Sequence, residues 1–152
     1  MHEYQVRVEW TGNDGEGTKS HRSYRRDHTV QCAGKPMIPG SSDPSFRGDA
    51  TRYNPEDLLV ASVSTCHMLW YLHLCAVNNV RVLEYVDAAQ GLMEEEAGGA
   101  GQFIKVVLKP TIKISADSDE TKALELHHEA HKFCFVGRSV NFPVEIAAEI
   151  TS

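Results

Sequence analysis

Two segments of this chain carry thiols and imidazoles at spacings that a helix would place on shared faces. In STCHMLWYLHLC, residues 64–75, Cys66, His67, His73 and Cys75 interrupt an apolar run. In LHHEAHKFC, residues 126–134, His127, His131 and Cys134 stand at i, i+4 and i+7, on one helical face. Cys66 and Cys75 are nine positions apart. That is about 900° of rotation, so they face opposite ways and cannot bond to each other within the helix. Side chains of these types support three readings. A buried cysteine can be no more than a small hydrophobe, which suits Cys32 and Cys75. Cys and His at i, i+3 and i+4 can chelate a metal, although no Cys-x-x-Cys pair is present. A thiol can also do redox chemistry, with Cys66 as the reacting group and Cys134 as its partner. Spacing alone does not choose among the three.

The elements that must position these residues follow from the pattern of the chain. NPEDLLVASVSTCHMLWYLHLCAV reads as a helix, with Asn54 as the N-cap, Pro55 first in the helix, and Glu56 and Asp57 at its positive end. It is apolar almost all round, which predicts burial. Leu58–Val77 is also long enough to span a membrane, but Ser62, Ser64, Thr65, His67 and His73 interrupt it, and a span is rejected. Before it, YQVRVEW puts Tyr4, Val6, Val8 and Trp10 on one face of a half-buried strand. TGNDGEGT is a turn, and SHRSYRRDHTVQC can return as the second arm of a hairpin. Residues 34–53, with three prolines and three glycines, predict a functional loop. After the helix, RVLEYVDAAQGLMEE reads as strand, and FIKVVLKPTIKIS as one or two strands around Pro110. A second helix, capped by Ser118 or Asp119, runs to Cys134, and FPVEIAAEI closes the chain as a strand. This order predicts an α+β domain occupying all of residues 1–152.

Composition bounds the function. With 152 residues, 41% hydrophobic and 24% charged, the chain is an ordinary globular domain. Its formal charge of −6, with no Lys/Arg cluster, argues against nucleic acid or an anionic membrane as partner. The polar–apolar alternation of MHEYQVRVEW is not that of a signal peptide, so four cysteines read as thiols in a reducing cytoplasm.

NPEDLLVASVSTCHMLWYLHLC followed by AHKFCFVGRSVNFPVEI strongly resembles the OsmC/Ohr family of thiol-dependent hydroperoxide reductases, nearest to an OsmC-like branch with CHMLWYLHL and SVNFPV segments. The resemblance runs through essentially the whole chain and implies antiparallel sheets packed on a buried central helix in an intertwined homodimer. It implies cysteine-based reduction of organic hydroperoxides in oxidative-stress defence, with sites shared between subunits, a dithiol reductant (lipoyl or another thiol), and neither cofactor nor metal. Cys66 matches the reactive cysteine, Cys134 the resolving one, and Glu56 the glutamate of the Asn-Pro-Glu motif. Arg26 is the first choice for the family's arginine, with Arg25 and Arg47 as rivals. The hydroperoxide-resistance branch commonly follows its second cysteine with proline, where Phe135 stands here.

These roles suit the residue types. A thiolate breaks a peroxide O–O bond, and a guanidinium beside Cys66 would favour that thiolate. The resulting sulfenic acid condenses with Cys134 to a disulfide, which an external thiol resets. Trp70, Leu69 and Phe133 would give an apolar wall favouring organic peroxides, and Glu56 could hold the arginine in a bidentate pair. His67 reads as a satisfied core or interface histidine; His127, His128 and His131 as helix surface or supporting groups; Asp27 as a solvated charge. A non-catalytic carrier of metal or a small hydrophobic ligand on the same fold is the rival function.

Glu56 and Cys66 stand ten positions apart, roughly 15 Å along a straight helix and on different faces. With no proline or glycine between Pro55 and Gly91, a kink has no evident cause. A shared site then requires Glu56 from a second subunit, and hence an obligate two-fold dimer.

Overall fold

Asn54 opens the central helix as its side chain predicts. Its Oδ1 accepts the Asp57 N–H at 2.8 Å, and the Asp57 carboxylate accepts the Asn54 N–H at 3.3 Å, a reciprocal cap. Helix α1 then runs unbroken from Pro55 to Val77. It stops where Asn79 turns left-handed (φ 59°) and the Val80 N–H reaches back to the Cys75 carbonyl. The structure, a computed structural model, describes all of residues 1–152. It falls into two compact units, Met1–Leu58 and Leu59–Ser152.

The first unit is an antiparallel sheet of β1 (Arg7–Trp10), β2 (His28–Gln31) and β3 (Ile38–Gly40), in that order. Trp10 faces His28 across the β1–β2 pair, and Val30 faces Ile38 across β2–β3. β3 lies inside the stretch predicted as loop, where Pro39 hides the strand pattern. β1 was expected to be half-buried, yet all four of its residues are exposed. It is an edge strand, and nothing in its unit covers either face. Asp27, read as a solvated charge, is buried instead. It pairs with Arg25 and Arg52 and accepts the Ser41 hydroxyl, tying the following loop to the sheet.

The second unit contains two three-stranded sheets. One has the order β4 (Val82–Asp87), β7 (Pro110–Ile114), β9 (Glu149–Thr151); the other β5 (Gln90–Glu95), β6 (Gly101–Leu108), β8 (Val144–Ile146). RVLEYVDAAQGLMEE and FPVEIAAEI, each expected as one strand, divide between the two sheets, and FIKVVLKPTIKIS, expected as one or two strands around Pro110, divides there as well. The breaks fall at Ala88–Ala89, at Lys109 and at Ala147–Ala148. Small side chains and a proline let the chain bend there. The corner is stitched by Lys109 N–H to Asp87 Oδ1 (2.7 Å) and Ala147 N–H to the Leu108 carbonyl (2.8 Å).

The expected antiparallel sheets are mixed: β6 pairs β8, and β7 pairs β9, in parallel. Helix α2 (Glu120–Phe133) lies between β7 and β8 and supplies the crossover that parallel pairing needs. Two cores result. Val63 packs with Val106 and Leu108 beside Phe103 and Phe142. Tyr71 and Cys75 pack with Ile112, Ile114, Ala123, Leu126 and Ala130.

Within one chain, α1 is buried on one side alone. Only Val63, His67, Tyr71 and Cys75 are buried, a stripe at every fourth residue, while Leu69 (63%) and Val77 (62%) stay exposed. The sheets and α2 of one chain cover one side of the helix and no more.

Candidate active site

Cys66 sits midway along α1, half-buried, and Cys134 follows the last residue of α2. Asp119 starts α2 by accepting the Lys122 N–H at 3.0 Å. At the other end Cys134 leaves helical geometry (ψ 106°), while its N–H still bonds the Ala130 carbonyl. That cap brings the buried Cys134 thiol near Cys66, close enough for each to influence the other's ionisation. Both cysteines are free.

The environments of the two thiols differ. The Gly137 N–H donates to Cys134 Sγ at 3.2 Å, with the Val136 N–H adding to it. Burial nevertheless pushes the Cys134 thiol up to about 11. Gly137 was not singled out in the sequence, although a glycine three residues past the cysteine marks the turn that makes this contact. A Cβ there would stand 3.2 Å from the sulfur.

An aromatic wall stands one turn from Cys66. Trp70 stacks on Phe133 (centroids 5.1 Å) and meets the edges of Phe135 (5.5 Å) and His73 (5.9 Å). Leu69, Trp70 and His73 line an open recess of about 240 Å³. The structure thus brings together Cys66, Cys134, Trp70, Leu69 and Phe133.

Arg26, Arg25, Arg47 and Glu56 all belong to the first unit. Arg26 donates to the Tyr24 and His21 carbonyls at 2.8 Å and lies 4.1 Å over the Tyr24 ring. Arg25 is paired with Asp14 and Asp27. Arg47 is exposed, with a left-handed backbone (φ 65°) after a short 3-10 turn. Glu56 stands in the first turn of α1.

The residue after Cys66, His67, belongs to a buried polar pair. His67 Nε2 and His127 Nδ1 are 3.0 Å apart, joined by one hydrogen bond. His127 stacks on Tyr71 (centroids 3.9 Å), whose hydroxyl donates to the Ala123 carbonyl. His127, read as surface or support, is only 2% exposed, and His67 1%. His67 is a core histidine as expected but only half satisfied: its Nδ1 has no partner, nor has His127 Nε2. His128 is exposed and His131 partly buried. No three His, Cys, Asp or Glu side chains are grouped to hold a metal ion.

A profile of the family described as "OsmC-like protein" matches residues 48–149. An OsmC-like protein of unknown function from Vibrio cholerae has the same fold at TM-score 0.86 and 31% identity, over 99% of this chain and all of that one. The organic hydroperoxide resistance protein OhrB of Bacillus subtilis is 30% identical over 100 residues, 66% of this chain and 71% of that protein. The structure of an organic hydroperoxide resistance protein from Elizabethkingia anophelis is alike in fold alone, at TM-score 0.68 and 17% identity over 99% and 98% of the chains. α1 has the length and hydropathy of a membrane span, yet here it is an element of a soluble fold. The family match takes in both cysteine-bearing helices and the strands between them, and this protein belongs to the OsmC-like family.

Proposed function

We propose that the protein is a cytoplasmic thiol peroxidase that reduces organic hydroperoxides through Cys66, with Cys134 as the resolving cysteine. The observation that carries this reading is the proximity of two unlike thiols, one half-buried and a helical turn from an apolar recess, the other buried. The Cys66 thiolate attacks the terminal peroxide oxygen. The O–O bond breaks, the alcohol leaves after taking a proton, and Cys66 becomes a sulfenic acid. Cys134 sulfur then attacks Cys66 sulfur; the S–S bond forms, the S–O bond breaks, and water leaves with the Cys134 proton. A dithiol returns both cysteines to thiols. The recess favours peroxides with an apolar tail, and the resistance named in the Bacillus relative accords with that substrate class.

The test titrates thiols before and after one equivalent of cumene hydroperoxide. Prompt loss of two thiols per chain, with a Cys66–Cys134 crosslink in the peptide map, is expected. Unchanged thiols would reject the reading and favour a carrier of small hydrophobic ligands in the same recess.

The working form is proposed to be a two-fold homodimer, with the arginine (Arg26 first) and Glu56 of one chain serving Cys66 of the other. Support comes from the uncovered side of α1, the exposed edge strand β1, and the unbroken helix between Glu56 and Cys66. Glu56→Ala and Cys66→Ser chains, each inactive alone, are expected to recover about one working site per mixed dimer after subunit exchange. No recovery despite demonstrated exchange rejects the shared site.

A further inference from the structure

Two hydrogen bonds join the side chains of α1 to α2: His67 to His127, and the Tyr71 hydroxyl to the Ala123 carbonyl. They run in opposite senses along the two helices, each step four residues and about 6 Å. Cys66 adjoins the first rung on α1, and Cys134 lies two turns beyond it on α2. The rungs therefore set the register in which the two thiols meet. A polar pair is a poor choice for stability alone. Each ring loses water, and His67 Nδ1 and His127 Nε2 gain nothing in return. A leucine pair would fill the same space with no unsatisfied nitrogen. What the histidines add is direction, since their bond forms at one offset of the helices and at no other.

We infer that the His67–His127 pair positions the two helices for resolution, holding Cys134 sulfur where it can attack the Cys66 sulfenic acid. The inference rests on the peroxidase reading. Forming the S–S bond requires Cα atoms within roughly 7 Å and a narrow range of dihedral angles. A slip of about 1 Å between the helices is enough to slow such a step by a large factor. His67 and His127 touch neither peroxide nor sulfur; they act through the helices that carry Cys66 and Cys134.

The test separates resolution from the first oxidation. Reduced protein receives one equivalent of cumene hydroperoxide together with dimedone, which traps the sulfenic acid. Mass spectrometry then gives the ratio of Cys66–Cys134 disulfide to Cys66 adduct. Three variants are compared with the parent. His127→Phe keeps the stack on Tyr71 but loses the hydrogen bond. The His67→Leu, His127→Leu pair fills the core without polarity. The His67→Gln, His127→Asn pair places amide nitrogens and oxygens near Nε2 and Nδ1 and restores a hydrogen bond.

The disulfide-to-adduct ratio is expected to fall at least roughly tenfold in the phenylalanine and leucine variants, and to return to within about threefold of the parent in the amide pair. Thermal melts establish that each variant is folded, so the two apolar forms guard against one failing to fold. Parent-like ratios in a folded apolar variant overturn the positioning role, because packing alone then suffices. If the parent itself loses no thiols, the peroxidase reading has failed instead, and the two failures are distinct.

Discussion

Replacing Cys66 by serine is expected to lower organic hydroperoxide turnover by at least about 1,000-fold, because a serine hydroxyl is neither ionised at neutral pH nor able to form a sulfenic acid. The Cys134→Ser chain is expected to behave differently. It consumes one equivalent of peroxide rapidly without turning over, and a second equivalent then oxidises the Cys66 sulfenic acid slowly to the sulfinic acid, releasing a second alcohol. The two environments argue for this division of labour. Burial pushes the Cys134 thiol up to about 11, so at neutral pH it is protonated and closed off from peroxide. Cys66 is half-buried, one turn from Trp70 and its recess. Peroxide consumption under steady-state and single-turnover conditions, with intact mass after each, checks both variants. Full turnover in Cys66→Ser chains, or a single-turnover burst in them that Cys134→Ser chains lack, would reverse or end the assignment.

The placement of Cys66 within one helix and of Cys134 at the end of the other was legible because it depends on order along the chain and on local geometry. Asn54 and Asp119 cap their helices as their side chains suggest, and nine helical positions do set Cys66 and Cys75 apart. Failures arose where two distant segments decide the outcome. Ile38–Gly40 has no period of its own and becomes a strand only because β2 offers an edge. The alanine pairs at 88–89 and 147–148 look like strand interior until the neighbouring sheets pull the chain in two directions. Parallel pairing cannot be read from a strand's own residues. Asp27 and His127 were misread for the same reason. Each is polar within a polar stretch, but Arg52 and Ser41 arrive on the following loop, and His67 arrives from sixty residues away. The apolar circumference of α1 was read correctly as needing cover, but a single chain covers one stripe.

Acid is expected to weaken the protein steeply between pH 6.5 and pH 4, through the buried histidine pair. Burial, with repulsion from His131 and against the attraction of Asp87, holds His67 down at about 4. Burial, with repulsion from His67 and His128, holds His127 at about 3. Tyr71, Cys75 and Tyr85 complete the surroundings, all of them kept neutral by burial. In the unfolded chain both histidines return to the ordinary value near 6.5. Above that pH neither state carries the protons, and the pair has no effect on stability. As pH falls the unfolded chain takes up two protons that the folded chain refuses, so folding weakens by up to about 2.7 kcal/mol per pH unit. From pH 7 to pH 5 the loss is about 4 kcal/mol, a large share of a typical domain's stability. Below the depressed values the folded chain binds the protons too, and the decline levels off. Urea unfolding at half-unit steps from pH 7.5 to pH 4.5 measures this slope. The His67→Gln, His127→Asn chain, whose amides do not titrate, is expected to lose most of it. If parent and amide pair decline in parallel, the histidines are not the acid-sensitive element, and the carboxylates of the surface must carry the effect.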